Sequence, residues 1–179
     1  ISLGLVGSEM CKETGIDLEL GGSDEPSVAV APNPTDISIT TASVTGALGG
    51  ISAFTSGGDV GITSTGTVSG GLVGISAITL GGDVTVDSSA AVSSSTGFGV
   101  LTATGGTGTT SITTGAVDGA VGGIFATDLG SGGVTITSNG TVDGKAGFGI
   151  LATSIDLSGS DEPSAAVAPQ PMDISITSK

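Results

Sequence analysis

The sequence predicts a single domain, residues 1–179, folded as a right-handed parallel β-helix with about 23–26 residues and three short strands per coil. Three observations point there: a short phrase recurs at a nearly fixed interval, apolar residues alternate strictly within each copy, and 34 of the 179 residues are glycine. The phrase is fullest at Gly133-Val134-Thr135-Ile136-Thr137, Gly140-Thr141-Val142 and Gly147-Phe148-Gly149-Ile150. Its leading positions, Ile37, Val60, Val84, Thr110 and Val134, are separated by 23, 24, 26 and 24 residues, and Ile174 opens a further copy after a longer gap.

Within one copy, Val134 and Ile136 fall at every second position, so they point inward and Thr135 and Thr137 outward, as in a strand. A second strand begins seven or eight residues later, at Val44, Val68, Val92, Val117 or Val142. A third follows a glycine-rich corner, at Ile51, Ile75, Val100, Ile124 or Ile150. Equivalent residues of successive coils then stack about 4.8 Å apart through main-chain hydrogen bonds. The glycines suit sharp corners, several of them expected at positive φ, where glycine carries no steric penalty. No stretch shows a helical stripe, and right-handedness follows the usual chirality of parallel crossovers. Hydrophobic content of 37% in strict periodicity argues against a disordered low-complexity chain.

A longer repeat lies over the short one. Gly22-Ser23-Asp24-Glu25-Pro26-Ser27 returns as Gly159-Ser160-Asp161-Glu162-Pro163-Ser164. The match continues from Ala29-Val30-Ala31-Pro32 to Ala166-Val167-Ala168-Pro169, an offset of 137 residues, while the preceding Ile-Asp-Leu at Ile16 and Ile155 is offset by 139. Three prolines in each copy predict that 16–36 and 155–173 are stiff, extended excursions that leave and re-enter the solenoid at one corner, outside the strand ladder.

The chain begins and stops in mid-coil. Gly4-Leu5-Val6 matches Gly149-Ile150-Leu151, and Asp173 to Lys179 reads as a first strand with no second strand after it. Placing Ile1 after Lys179 gives it the role of Val44. The expected assembly interface is therefore Ile174 and Ile176 of one copy completing a coil with Ile1, Leu3 and Leu5 of the next. Such a head-to-tail contact builds an open fibre unless it closes into a ring. In a tandem polypeptide the same seam would be covalent. Without an initiating Met, signal peptide or membrane-barrel segment, the sequence reads as a mature fragment, a processed subunit or a piece of something larger.

Composition removes most chemistry. There is no His, Arg, Trp or Tyr, and Lys12, Lys145 and Lys179 are the only cations. Ser/His or Cys/His catalysis lacks its imidazole, and no guanidinium is present to clamp an anion. A net charge of −14 opposes nucleic acid and acidic polysaccharide as partners. No apolar run approaches the roughly 20 residues of a membrane span. No enzymatic activity is expected; a glycan-acting alternative would need aspartates such as Asp87, Asp118 or Asp143 about 5–10 Å apart in a cleft.

Asp36, Asp59, Asp83 and Asp173 each precede a first strand. A row of carboxylates about 5 Å apart either binds Ca²⁺ or caps the corner by accepting backbone N–H bonds, as in Asx turns. Capping is favoured, because no copy matches the Gly-Gly-x-Gly-x-Asp calcium nonapeptide. Asp24, Glu25, Asp161 and Glu162 form a better calcium or interface site, or else a solvated acidic loop; no other cofactor is expected. The outward Thr-x-Thr pairs resemble the arrays of ice-binding β-helices, but Gly61 and Asp87 break the row. Asn139-Gly140-Thr141 is a glycosylation acceptor sequence and a strong turn former. Cys11 has no partner in the chain, leaving a free thiol or a crosslink between chains. Phe98 and Phe148 recur at one coil position, as packing residues do.

From Asp36 to Thr153 the Gly-Asp-Val-Thr-Ile-Thr, Gly-Thr-Val and Gly-x-Gly-Ile-x-Ala pattern resembles the passenger domains of bacterial autotransporters and related secreted β-helical adhesins. That resemblance implies an extracellular or cell-surface structural and adhesive protein. Its partners would be further copies of itself and a host or surface glycan or protein receptor. A stalk fragment of a monomeric adhesin is the alternative.

Overall fold

The computed structural model describes residues 15–20, 27–31, 36–155 and 173–178, and all its regular elements are strands. Two strands come first, β1 (Gly15–Leu20) and β2 (Ser27–Ala31). Five three-stranded coils follow. They are β3 (Asp36–Thr41), β4 (Val44–Gly46) and β5 (Gly49–Thr55); then β6 (Val60–Ser64), β7 (Val68–Gly70) and β8 (Val73–Thr79). Next come β9 (Val84–Ser88), β10 (Val92–Ser94) and β11 (Phe98–Thr104), and β12 (Thr110–Thr114), β13 (Val117–Gly119) and β14 (Gly122–Asp128). The fifth coil is β15 (Gly133–Ser138), β16 (Val142–Gly144) and β17 (Ile150–Ser154), and β18 (Asp173–Ser178) opens a sixth.

Every pairing is parallel and in register, so the chain is a β-solenoid. The first-strand sheet runs β1-β3-β6-β9-β12-β15-β18, the second β4-β7-β10-β13-β16 and the third β2-β5-β8-β11-β14-β17. Ile37, Val60, Val84, Thr110, Val134 and Ile174 form one ladder, as their spacing predicts. The second- and third-strand leaders align in the same way, from Val44 to Val142 and from Ile51 to Ile150.

Five inward positions of each coil build the core columns. In the second coil these are Val60, Ile62, Val68, Ile75 and Ala77, all buried. The small fifth position recurs as Ala53, Ala77, Thr102, Ala126 and Ala152. Inward hydroxyls seal two corners, because a buried turn must satisfy its own backbone groups. At the end of the first strands stand Thr41, Ser64, Ser88, Thr114 and Ser138, where Ser138 Oγ donates to the Gly140 carbonyl at 2.7 Å. At the end of the third strands, Thr79 Oγ1 donates to the Gly58 carbonyl at 2.8 Å and accepts from the Gly82 N–H at 3.1 Å. Part of the Ser/Thr content is therefore interior.

Two expectations need correction. Among the described residues only Gly106 has a positive φ, 64°. What most corners demand of glycine is space: a Cβ on Gly74 would lie 2.6 Å from both the Gly99 carbonyl oxygen and Val92 Cγ1. The same position is glycine in all five coils, Gly50, Gly74, Gly99, Gly123 and Gly149. The segment 16–36 is also not a simple excursion. β1 pairs with β3 and β2 with β5, placing Ile16 on Ile37 and Ser27 on Ile51. In sequence Pro26 and Pro32 immediately precede and follow β2 and Pro34 stands two residues before β3, so none interrupts a strand, and Ile16, Leu18 and Leu20 keep the two-residue alternation. The residues between β1 and β2, and 156–172 of the second copy, lie outside the described residues.

Gly74→Ala is expected to lower stability by about 1–3 kcal/mol through overpacking, read as a lower Tm or urea midpoint. Thr102, whose buried Oγ1 has no hydrogen-bond partner, gives the opposite result: Thr102→Val raises stability by about 1 kcal/mol.

Candidate functional site

The two structural features with functional potential are the aspartate corner and the C-terminal end of the stack. At the corner preceding the first strands, Asp36 Oδ1 accepts the Asp59 N–H at 2.9 Å, and Asp59 Oδ1 accepts the Asp83 N–H at 2.8 Å. Asp83 Oδ1 accepts the Thr109 N–H at 2.7 Å and its hydroxyl at 3.0 Å. Each carboxylate therefore caps the next coil's backbone, where an Asx turn would have served its own. The row stops at Thr109 and Gly133, which occupy the equivalent place in the fourth and fifth coils. No group of three or more metal-ligating side chains occurs among the described residues. Asp24, Glu25, Asp161 and Glu162, the other calcium candidates, lie outside them, as do Cys11 and Ile1, Leu3 and Leu5 of the expected interface.

Ile174 and Ile176 are placed. β18 pairs with β15, setting Ile174 on Val134 and Ile176 on Ile136, so both isoleucines continue core columns. Yet they are 45% and 48% exposed, against 0% for Val134 and Ile136. The second and third sheets end one strand earlier, at β16 and β17, where Val142, Ile150 and Ala152 are only partly buried. Among the described residues, this end of the stack is thus an apolar cross-section bordered by a strand whose outer edge has no partner.

Of the aspartates named for the glycan-acting alternative, two are brought together and one stands apart. Asp87 lies on the outside of the first sheet, whereas Asp118 and Asp143 are register neighbours on the second. Lys145 Nζ sits 2.8 Å from Asp118 Oδ1. That hydrogen bond and the charge of Asp118, with Asp143 adding to it, raise the Lys145 pKa. The hydroxyl rows of the first sheet run Ser38, Gly61, Thr85, Ser111, Thr135, Ser175 and Thr40, Thr63, Asp87, Thr113, Thr137, Thr177, interrupted where the sequence indicates.

Two features escaped sequence reasoning. Asp128 takes the inward corner place held elsewhere by Thr55, Thr79, Thr104 and Ser154, and it is fully buried. It accepts the Gly130 N–H at 3.0 Å and the hydroxyls of Ser154 at 3.3 Å and Thr104 at 3.4 Å. The residue count after each third-strand leader would have revealed it. The second is the apolar exterior of the third sheet, visible only once outward positions of successive coils are laid side by side.

The geometry defines a β-solenoid. Compared with protein-family models, curated proteins and solved structures, the chain matches none.

Asp83→Ala is expected to cost about 1 kcal/mol by orphaning the Thr109 N–H, without disrupting the fold. Calcium shifts the Tm of this variant and of the parent by the same amount if the row is purely a cap; a shift lost in Asp83→Ala would make it a metal site.

Proposed function

We propose that the protein is an extracellular structural and adhesive β-helix, displayed on or outside a bacterial cell and elongated end to end into a rod or fibre. The observation that carries this reading is the half-exposed pair Ile174 and Ile176, set on core columns in a strand whose outer edge has no partner among the described residues. An apolar cross-section beside a free parallel edge is the surface another coil would cover, since it offers both hydrogen-bond partners and burial. In the proposed seam the residues Ile1, Leu3 and Leu5 of the next copy complete the coil that β18 begins. The contact is heterologous, so repetition extends the stack without a built-in limit. A stacked scaffold with no imidazole or guanidinium in its sequence suits support and display better than catalysis. The repeated surface pattern and its resemblance to autotransporter passengers support the adhesive part, whose receptor would be a surface glycan or protein.

Electron microscopy at rising protein concentration tests the seam. Fibres with an axial repeat of roughly 34 Å, one layer of about 4.8 Å for each of the seven strands of the first sheet, are expected. Ile176→Lys, or removal of residues 174–179, abolishes them by placing a charge in the seam or deleting its strand. Fibres that persist unchanged in these variants, or short monodisperse particles of the parent at every concentration, overturn the reading; loss of fibres with a chelator assigns the acidic loops to calcium.

A further inference from the structure

The three faces of the solenoid differ in what they turn outward. The first sheet shows hydroxyls, glycine and Asp87, and the second shows small residues with Asp118, Asp143 and Lys145. The third sheet carries all four phenylalanines of the chain, or holds them at its edge: Phe54, Phe98, Phe125 and Phe148. Phe98, Phe125 and Phe148 stack into one cluster, with ring centroids 5.6 to 6.0 Å apart. Leu101, Phe125 and Leu151 stand in register on successive coils, and Leu151 is 37% exposed.

Charge is distributed the opposite way. The six strands of this sheet contain no lysine and one carboxylate, Asp128, which points inward and is fully buried. On a chain of net charge −14 this is a sheet face without exposed charge among the described residues.

We propose that the third-sheet face is a lateral self-association surface, on which a second copy of this chain packs its own third-sheet face. Two copies this acidic repel one another wherever carboxylates come opposite, and like-charge juxtaposition is costly at an interface. Face-to-face contact of the third sheets avoids that opposition while burying phenylalanine and leucine, the residues that gain most from leaving water. The size is adequate. Five coils at about 4.8 Å and strands of up to seven residues at about 3.3 Å give roughly 550 Å² on each copy, or about 1,100 Å² in total, which clears the roughly 1,000 Å² a biological interface needs and lies in the range of weak, reversible contacts. The contact is isologous, so it closes at two copies. It is independent of the end-to-end seam: lateral pairing occurs in Ile176→Lys, whose open end is blocked, and failure of either contact leaves the other measurable.

Sedimentation equilibrium of the Ile176→Lys chain at low and high salt tests the proposal. A monomer–dimer equilibrium is expected, tightened by salt because screening weakens the repulsion of two acidic chains. Leu151→Glu weakens it by roughly tenfold or more. Thr135→Glu, which adds the same charge on the first sheet, leaves it nearly unchanged; Leu101→Glu repeats the test at a second position, with circular dichroism verifying the fold of each. A chain that stays monomeric to the highest concentration at high salt overturns the proposal. So does a dimer equally sensitive to Thr135→Glu and Leu151→Glu, or a monomer that instead binds phosphatidylcholine vesicles through this face.

Discussion

In-register parallel stacking governs everything else in this molecule. Each residue sits about 4.8 Å above its counterpart in the preceding coil, so every column must tolerate its own repetition. Branched apolar residues satisfy that demand in the core, where Ile37, Val60, Val84 and Val134 pack on one another and the intervening Thr110 has nearly the shape of valine. Hydroxyls satisfy it at the corners, where Ser64, Thr79 and Ser138 each donate to a turn carbonyl. Carboxylates satisfy it only when something separates their charges: in the aspartate row each Oδ1 is occupied by the next coil's N–H.

Departures from the repeat show where the constraint is relieved. The third and fifth coils have eight residues from Val92 to Val100 and from Val142 to Ile150, where the second and fourth have seven. The added residue lies in the corner that holds Phe98 and Phe148, and Gly122 between them leaves room for both rings; a Cβ there would be 2.6 Å from the Phe148 ring. The resulting aromatic cluster makes one face of the solenoid unlike the other two. A fold whose core is nearly identical from coil to coil can therefore specialise each outer face separately, since outward residues have little influence on the columns inside.

The same constraint makes the end of the stack consequential. Parallel ladders saturate backbone groups only between coils, and a terminal coil exposes both its edge and its core columns. Ile174 and Ile176 illustrate the difference one layer makes: in the same columns, they are half-exposed where Val134 and Ile136 are fully buried. An end-to-end seam and a lateral apolar face would act along perpendicular directions, the first extending the rod and the second pairing it.

Periodicity alone determined the architecture, the ladder leaders and the inward apolar alternation of the first strands, because a solenoid's contacts lie one repeat apart and are written directly into the spacing. The same spacing located Ile174 and Ile176 and the breaks at Gly61 and Asp87. What only the tertiary structure decided depends on neighbours across coils. The corner glycines are required by a carbonyl and a valine of adjoining turns, not by φ. The aspartates bond the next coil's backbone. Pro26 and Pro32 bracket in sequence a strand, β2, that pairs with β5. The aromatic cluster joins residues from two different coil positions, Phe98 and Phe148 from one and Phe125 from another, and no single-repeat pattern contains that contact, because it forms across the stack.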